Sequence, residues 1–267
     1  MGQMKGLVFD CPRRDRRDAV SFLGVHIHRL DLEELIRDVE TAVRTKRRTK
    51  IMYVNIHVVN LAFKDVALKE ALNHAHIVYC DGAGVRIGAR ILGEFLPQRM
   101  TGADWIWDLC AMCEKRRYSI YILGGSPGIA EKAGHILKNR CPGLEIAGVY
   151  HGFFEKDSGE NERVVSMINK RSPDILLVGF GSPLQERWIH DNFGRLNATV
   201  VWAVGALVDF VSGTVPRGPR WMVDHGLEWL YRLMMEPKRM WKRYLVGNFL
   251  FLVRILKTRF RLRGKRR

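Results

Sequence analysis

The segment PDILLVGFGSPLQERWI, residues 173–189, decides the fold class of this chain. Its apolar run Ile175–Val178 predicts a buried strand, a Gly-Phe-Gly-Ser-Pro turn follows, and Pro183–Asn192 has helix-like periodicity. A strand, a glycine-rich turn and a helix in this order form one unit of an α/β sheet. Five further strands are predicted elsewhere: Ile51–Asn55, Ile77–Cys80, Ser119–Leu123, Glu145–Val149 and Thr199–Val204.

Helical patterns alternate with these strands. They lie at Asp31–Thr45, Val58–Asn73, Ala103–Lys115, Ile129–Asn139 and Glu162–Lys170. The alternation predicts a parallel sheet covered on both faces, which is a Rossmann-like doubly wound α/β domain. We assign residues 21–214 to this domain, residues 1–20 to an N-terminal extension, and residues 215–267 to a helical C-terminal appendage.

The basic charge is concentrated in the appendage. The whole chain carries a formal charge of +16, and residues 217–267 hold 15 Lys and Arg against three acidic residues, a net +12. A cationic segment of this kind predicts an anionic partner such as a membrane surface. The apolar run Leu245–Leu256 is too short to cross a bilayer and contains Arg254, so we expect it to lie in an interface.

The N-terminus lacks an apolar stretch of signal-peptide length, so the chain is expected to stay in the cytoplasm. Its five cysteines are odd in number and are predicted to be reduced. Two alternatives remain open at this point. The excess of arginine also suits a nucleic-acid-binding protein, although no such motif is present, and a Rossmann-like sheet suits a nicotinamide-dependent enzyme, although G-x-G-x-x-G is absent.

Four turns follow predicted strands, where ligands of parallel sheets bind. They are Asn55-Ile56-His57, Asp81-Gly82-Ala83-Gly84, the turn from Gly124 and Gly125 to Gly128, and the turn from Gly179 through Gly181 to Pro183. We expect them to converge on one edge. The last two place backbone N–H groups at helix N-termini, which suits a diphosphate, or they simply close the connection between strand and helix.

Several side chains in these turns have both a chemical and a structural interpretation. Asp81 is either a general base or a helix N-cap, and Gly82 beside it would let a substrate approach. Gln185 either hydrogen-bonds a base edge or sugar hydroxyl, or lies on the surface, and Glu186 would then be a residue that complements the helix dipole. Arg99 and Thr101 precede a helix and suit either substrate binding or capping.

Metal use is disfavoured, and no cofactor is expected. D-x-D and the zinc-type histidine motifs are absent, and His57 is the one histidine expected at the ligand edge. His26 and His28 are expected to be solvated or capped structural residues.

The appendage carries three arginines at regular spacing. Arg232, Arg239 and Arg243 are spaced to share one helical face, which would bind a diphosphate or lipid headgroups, or would be a solvated basic face. Pro237 is expected to kink or restart that helix.

The order and spacing of several motifs resemble the WecG/TagA/CpsF glycosyltransferase family, glycosyltransferase family 26, from about Phe22 to about Leu250. These motifs are YCDGAGV around Asp81, RMTGAD from Arg99, YILGGSPG from Tyr121, the 173–189 segment, AVGALVDFVSGTVPRGP from Ala203 and LEWLYRLMMEPKRMWKRY from Leu227. The resemblance implies inverting, metal-independent transfer from a UDP-sugar to a polyprenyl-diphosphate-linked sugar. It also implies peripheral attachment to the cytoplasmic face of the cell membrane, a role in cell-surface polysaccharide synthesis, and a homo-oligomer as one open state.

Carried over residue by residue, the resemblance makes Asp81 the catalytic base and places Gln185, Arg232 and Arg239 in the active site, with a third basic position at Lys242 or Arg243. We expect the substrates to contact the following set: Asn55, His57, Gly82, Arg99, Thr101, Gly124, Gly125, Gly181, Glu186, Asp209, Arg217 and Arg243. Many members have Thr-x-Asn where this chain has Asn55-Ile56-His57. The donor sugar is therefore open among an N-acetylmannosamine type, glucuronate and another hexose.

Overall fold

The computed structural model describes residues 18–264, apart from the side chains of Asp224 and Arg263. The strands are β1 (Ala19–Phe22), β2 (Val25–His28), β3 (Thr49–Val54), β4 (Ile77–Cys80), β5 (Ser119–Gly124), β6 (Glu145–Tyr150), β7 (Ile175–Gly179) and β8 (Val200–Ala203). The body helices are α1 (Leu32–Arg44), α2 (Ile56–Ala62), α3 (Val66–Asn73), α4 (Ala83–Leu92), α5 (Gly102–Arg116), α6 (Ile129–Arg140), α7 (Gly159–Arg171), α8 (Leu184–Asn192) and α9 (Leu207–Val211).

A six-stranded sheet in the order β4-β3-β8-β7-β5-β6 forms the centre of the body, and all of its pairings are parallel. Every residue of β3, β4, β5 and β8 is buried. Continuous burial follows from the topology, because crossover helices cover both faces of a parallel sheet. The predicted Rossmann-like α/β architecture is confirmed, and each predicted strand of this sheet is present within two residues of its predicted bounds.

Other elements differ from the prediction. The single helix predicted at Val58–Asn73 is two helices, α2 and α3, because the Asp65 side chain accepts a hydrogen bond from Leu68 N at 3.1 Å and caps a new helix. The antiparallel hairpin of β1 and β2 and the helices α4 and α9 were not predicted. His28 of this hairpin is structural, as expected, but buried rather than solvated, and Val78 N donates to its Nδ1 at 3.0 Å.

The C-terminal appendage is helical, as predicted, and packs on the body. Its helices are α10 (Arg220–Asp224), α11 (Glu228–Met235), α12 (Pro237–Trp241) and α13 (Gly247–Gly264), with a π-helical turn at Lys242–Val246. The chain leaves helical geometry at Glu236 and Pro237 restarts it at the first position of α12, as expected. The Phe251 ring lies 5.9 Å from the Phe22 ring, and Asn60 Nδ2 donates to Gly247 O at 2.7 Å.

The predicted boundary between residues 214 and 215 falls between α9 and α10. Cys80, Cys110, Cys113 and Cys141 are free and buried, as expected for reduced thiols, and Cys11 lies outside the described residues. Among the helices of residues 18–264, none combines the length and apolar character that crossing a bilayer requires.

Candidate active site at the carboxyl edge of the sheet

Asp81 lies directly beyond β4 and is held against the end of the neighbouring strand β3. Its N–H donates to Val54 O at 2.8 Å, and its Oδ2 accepts a hydrogen bond from Asn55 Nδ2 at 3.1 Å. The N-cap residue of α4 is Gly82, so the alternative of Asp81 as a helix cap is wrong. The carboxylate is partly buried, and among the residues that the structure describes Asn55 is its one side-chain hydrogen-bond partner.

The surroundings of Asp81 raise its pKa towards neutrality. Burial, and then the negative charge of Glu228, raise its pKa, while the Asn55 hydrogen bond and the charges of Arg243 and Arg99 oppose this; the result is a pKa of about 7. A carboxyl group with this pKa exchanges its proton near neutrality, which is the property that a general base needs.

Asn55 is the N-cap residue of α2 beside Asp81, and His57 lies in the first turn of that helix rather than in the predicted turn. Asn55 holds the start of this helix with both ends of its amide, since Oδ1 accepts from Val58 N at 3.1 Å while Nδ2 donates to Asp81. Burial, and then the nearby charge of Arg243, lower the pKa of His57 to about 4. His57 is therefore a neutral imidazole at physiological pH, and it can donate or accept a hydrogen bond but carries no charge.

Gln185 and Glu186 are both fully buried, so the surface alternative for Gln185 is wrong, while Glu186 lies in the first turn of α8, where a negative charge complements the helix dipole. Gln185 Nε2 donates to Tyr53 OH at 3.3 Å and to Glu186 Oε1 at 2.8 Å, while Gln185 Oε1 accepts from Gly205 N at 2.9 Å. Ser182 Oγ also donates to Glu186 Oε1, at 2.7 Å. In this arrangement Gln185 joins the ends of β3 and β8 to the turn after β7, and its polar atoms contact protein groups.

The glycine turns bring strand ends close together. A Cβ on Gly124 would lie 2.6 Å from Gly179 O, and a Cβ on Gly179 would lie 2.7 Å from Gly205 O, so close backbone packing requires glycine here. Gly125 donates its N–H to Gly179 O at 3.4 Å. Gly128 and Gly181 have φ +84° and +80° and open space around their Cβ positions, so each of the two predicted turns has one open glycine.

The segment Arg99–Asp104 acts as a helix cap and also as a contact with the appendage. Thr101 donates both N–H and Oγ1 to Asp104 Oδ2, at 3.2 and 2.8 Å, which is the capping alternative. Arg217 of the appendage pairs with Asp104 and donates to Ala103 O. Arg99 donates to Val223 O at 3.2 Å. These contacts hold the appendage over the end of β4.

The three appendage arginines do not share one helical face, which corrects the prediction. Arg232 lies on α11, Arg239 on α12 and Arg243 in the π-helical turn, because the helix breaks at Glu236. Burial raises the pKa of Asp209, on α9, and the charges of Arg239 and Arg232 oppose this rise. Arg243 instead acts on Asp81 and His57. The arginines therefore approach the edge of the sheet at two places.

Sequence reasoning missed two participants, Tyr53 and Glu228. Tyr53 lies in the buried strand β3 and binds Gln185, but in the sequence it is one apolar residue of an apolar run. Glu228 pairs with Arg99 beside Asp81. The signal for Glu228 was its negative charge within a segment of strongly positive net charge.

Comparison with known proteins identifies the family to which this site belongs. The family model described as the Glycosyl transferase WecG/TagA/CpsF family matches residues 20–265, which is most of the chain. The chain belongs to this family. It is therefore a glycosyltransferase, as the resemblance implied, and the nicotinamide-dependent alternative is wrong.

Two relatives of this WecG/TagA/CpsF family glycosyltransferase come from Staphylococcus aureus, strains MW2 and NCTC 8325. Each is named N-acetylglucosaminyldiphosphoundecaprenol N-acetyl-beta-D-mannosaminyltransferase. Each is 26% identical over 242 residues, which are 90% of this chain and 94% of the relative. The similarity thus spans both the body and the appendage. Within residues 18–264 no three His, Cys, Asp or Glu side chains are grouped so as to hold a metal ion.

Proposed function

We propose that this glycosyltransferase moves a sugar of the N-acetylmannosamine type from a UDP-sugar to a polyprenyl-diphosphate-linked N-acetylglucosamine, in cell-surface polysaccharide synthesis. The relatives' names support this acceptor and this sugar. The observation that carries the proposal is Asp81, a partly buried carboxyl with a pKa of about 7 at the carboxyl edge of the sheet, enclosed by the basic appendage.

In the proposed reaction Asp81 accepts the proton of the attacking acceptor hydroxyl. The hydroxyl oxygen forms a bond to the anomeric carbon of the donor while the bond from that carbon to the UDP oxygen breaks on the opposite face. The electron pair of the broken bond leaves with UDP. One displacement of this kind inverts the anomeric configuration. Positioned proton transfer of this sort contributes roughly 10²–10⁴-fold to a rate.

The leaving diphosphate develops negative charge, and we infer that Arg232 and Arg243 stabilise it from the two places at which they approach the edge of the sheet. The Nε atoms of both are buried, and neither has a hydrogen-bond partner among the described residues. Buried donors are nearly always paired in proteins, so these two suit an anionic ligand that completes the site. The Arg239 Nε is paired with Glu236 Oε2 at 2.7 Å, which leaves it a smaller part in binding the diphosphate. We propose that these cations make a metal ion unnecessary.

A screen of UDP-sugars tests the reaction. Purified enzyme is incubated with a short-chain polyprenyl-diphosphate N-acetylglucosamine and with the UDP derivatives of N-acetylmannosamine, glucuronate and other hexoses, and UDP release is measured with and without EDTA. We expect release that requires both the acceptor and the N-acetylmannosamine donor and that persists in EDTA. Release with glucuronate alone would contradict the donor, and complete loss in EDTA would contradict the metal-independent step.

We also propose that the appendage binds the cytoplasmic face of the membrane peripherally. Exposed apolar side chains occur along the last helical segment at spacings of three or four residues, which places them on one face: Leu245, Phe249, Leu252, Leu256 and Phe260. The side chains of Phe249 and Phe260 are 66% and 68% exposed. Phe251 and Ile255 are buried against the body, so this exposed face is separate from the packed one. Exposed Lys242 and Lys257 supply positive charge.

Vesicle pelleting tests the membrane proposal. Burial of a phenylalanine side chain contributes about 1.5–3 kcal/mol, so Phe249→Ser with Phe260→Ser is expected to weaken binding to phosphatidylglycerol vesicles by at least about 100-fold. Val66→Ser, at an exposed position on α3, serves as the control and should bind like the wild type. Unchanged pelleting of the double variant, or tighter binding to nucleic acid than to vesicles, would contradict the proposal. Self-association stays a prediction, which light scattering of the same samples measures.

A further inference from the structure

We propose that Glu228 of the appendage is a positioning residue for sugar transfer: it holds Arg99 at the junction of appendage and body, and so controls how readily Asp81 takes up the acceptor proton. This inference rests on the proposed function, in which Asp81 is the base. It assigns to the appendage a part in the proton-transfer step in addition to binding anions.

Glu228 lies in the first turn of α11 and pairs with Arg99 of the body. Arg99 Nη1 lies 3.8 Å from Glu228 Oε2 and 3.8 Å from Asp104 Oδ2, while Nη2 donates to Val223 O. The Arg99 and Glu228 side chains are 18% and 17% exposed, which makes them the most buried ion pair among the described residues. A buried pair is weakly screened by solvent, so loss of either charge is felt by neighbouring groups.

The backbone brings the same part of the appendage against the Asp81 turn. Met100 N donates to Cys80 O at 2.8 Å, which fixes the Arg99 segment beside the residue that precedes Asp81. On the appendage side, a Cβ on Gly226 would lie 2.9 Å from Ala83 Cβ. Glu228 follows Gly226 by two residues, so its helix begins where the appendage contacts the turn that contains the base.

Several charged groups act on Asp81. Glu228 raises the pKa of Asp81, and Arg99 and Arg243 lower it. Asn55 provides the hydrogen bond from the β3 side, and His57, facing Arg243, is neutral near pH 7. The remaining titratable neighbours are three buried groups whose pKa values are raised by burial, Tyr53, Tyr79 and Cys80, and they are uncharged at neutral pH. Glu228 is thus the negative charge of the appendage that offsets the two arginines, and Asp104, 3.8 Å from Arg99 and paired with Arg217, is the negative charge of the body.

Removal of the Glu228 charge and removal of the Arg99 charge are expected to shift the pKa of Asp81 in opposite directions. Without the Glu228 charge, Arg99 keeps Asp104 but loses its carboxylate partner in the appendage. The two arginines then act on Asp81 with less opposition, so the base is weaker and titrates at lower pH. Without the Arg99 charge, Asp81 faces Glu228 with less compensation and titrates at higher pH. When both charges are absent, the two effects cancel. A residue that only supported folding would not produce shifts of opposite sign.

The test is the pH dependence of kcat/KM for full-length wild type, Glu228→Gln, Arg99→Gln and the double variant, measured as UDP release. We expect the acid-side midpoint to fall by roughly half a unit to one unit in Glu228→Gln, to rise by a similar amount in Arg99→Gln, and to return near the wild-type value in the double variant. Glu228→Asp keeps the charge and should keep the midpoint. Glu94→Gln, which breaks a more exposed ion pair with Arg29, is the matched control and should leave the midpoint unchanged.

A second measurement reports the same midpoint without turnover. Asp81→Asn is introduced into the wild type and into each of the three variants. The difference in Tm between each protein with Asp81 and the same protein with Asp81→Asn is then measured against pH, since this difference depends on the ionisation of Asp81. A midpoint that does not move in Glu228→Gln by either method would overturn the role of Glu228. A wild-type profile with no dependence on Asp81 in turnover would instead overturn the proposed function, while the stability curves would still report whether Glu228 acts on Asp81.

Discussion

Substitution Asp81→Asn provides the strongest prediction, because it removes the base while the amide keeps nearly the same shape. With a pKa of about 7, Asp81 is protonated below pH 7 and cannot accept the hydroxyl proton, so kcat/KM of the wild type should rise about tenfold per pH unit up to pH 7 and then level off. In Asp81→Asn we expect kcat to fall by roughly 10²–10⁴-fold and the acid limb to disappear.

The same substitution should change stability in a pH-dependent way. Because the folded-state pKa of Asp81 lies above its ordinary value of 3.8, ionisation of Asp81 destabilises the fold, starting near pH 4 and reaching its full extent above pH 7. Asn cannot ionise, so Asp81→Asn should gain stability relative to the wild type as pH rises. The difference between a pKa of 3.8 and a pKa of about 7 sets an upper limit of about 4 kcal/mol on this change in stability, which partial exposure of the side chain reduces.

The assay is UDP release over a range of acceptor concentrations from pH 5 to pH 9, which gives both kcat and kcat/KM, combined with thermal unfolding over the same pH range. Asp108→Asn, at an exposed position on α5, is the matched control and should behave as the wild type in both measurements. UDP binding by Asp81→Asn should be nearly normal, which separates a lost base from a misfolded site. Wild-type turnover in Asp81→Asn, or an acid limb that survives the substitution, would refute the assignment.

Three further predictions concern neighbouring parts of the molecule. His57→Gln should leave the acid limb near pH 7 in place, since the His57 pKa of about 4 puts its titration elsewhere; a lost limb in the pH–rate profile would contradict this. Gln185→Leu leaves Gly205 N and Tyr53 OH without their partner and should lower the free energy of unfolding by about 2–4 kcal/mol in urea titrations, against less than about 1 kcal/mol for exposed Gln98→Leu. Phe251→Ala should lower the free energy of unfolding by about 3–5 kcal/mol in the same titrations, because Phe251 is buried. If Phe251→Ala lowered it by less than Phe249→Ala, at an exposed position, α13 would not be docked on the body.

The layout of the sheet could be predicted from the sequence because it depends on local patterns. Six short apolar runs, each followed by a turn and a helical pattern, are enough to predict parallel strands and to place Asn55 and Asp81 beyond the ends of two of them. The structure then shows these strands, β3 and β4, as direct neighbours. The hydrogen bond between the Asn55 and Asp81 side chains follows from that pairing, so the centre of the candidate site could be predicted from the sequence.

The remaining parts depend on contacts between distant segments. Gln185 was placed at the ligand edge, but its burial results from Tyr53 and Gly205, which are 132 and 20 residues away in sequence. Seven- and four-residue spacings grouped the appendage arginines on one helix, whereas a helix break at Glu236 separates them. The contact of Glu228 with Arg99 depends on how the appendage packs over the body, which no local pattern encodes.

Mass spectrometry of the lipid-linked product tests the central claim most directly. Wild-type enzyme, UDP-N-acetylmannosamine and polyprenyl-diphosphate N-acetylglucosamine should yield an acceptor extended by one N-acetylhexosamine in the β configuration, with one UDP released per sugar transferred. Asp81→Asn should give this product only in trace amounts under the same conditions. An unextended acceptor in the wild-type reaction, or equal extension by Asp81→Asn, would contradict the account.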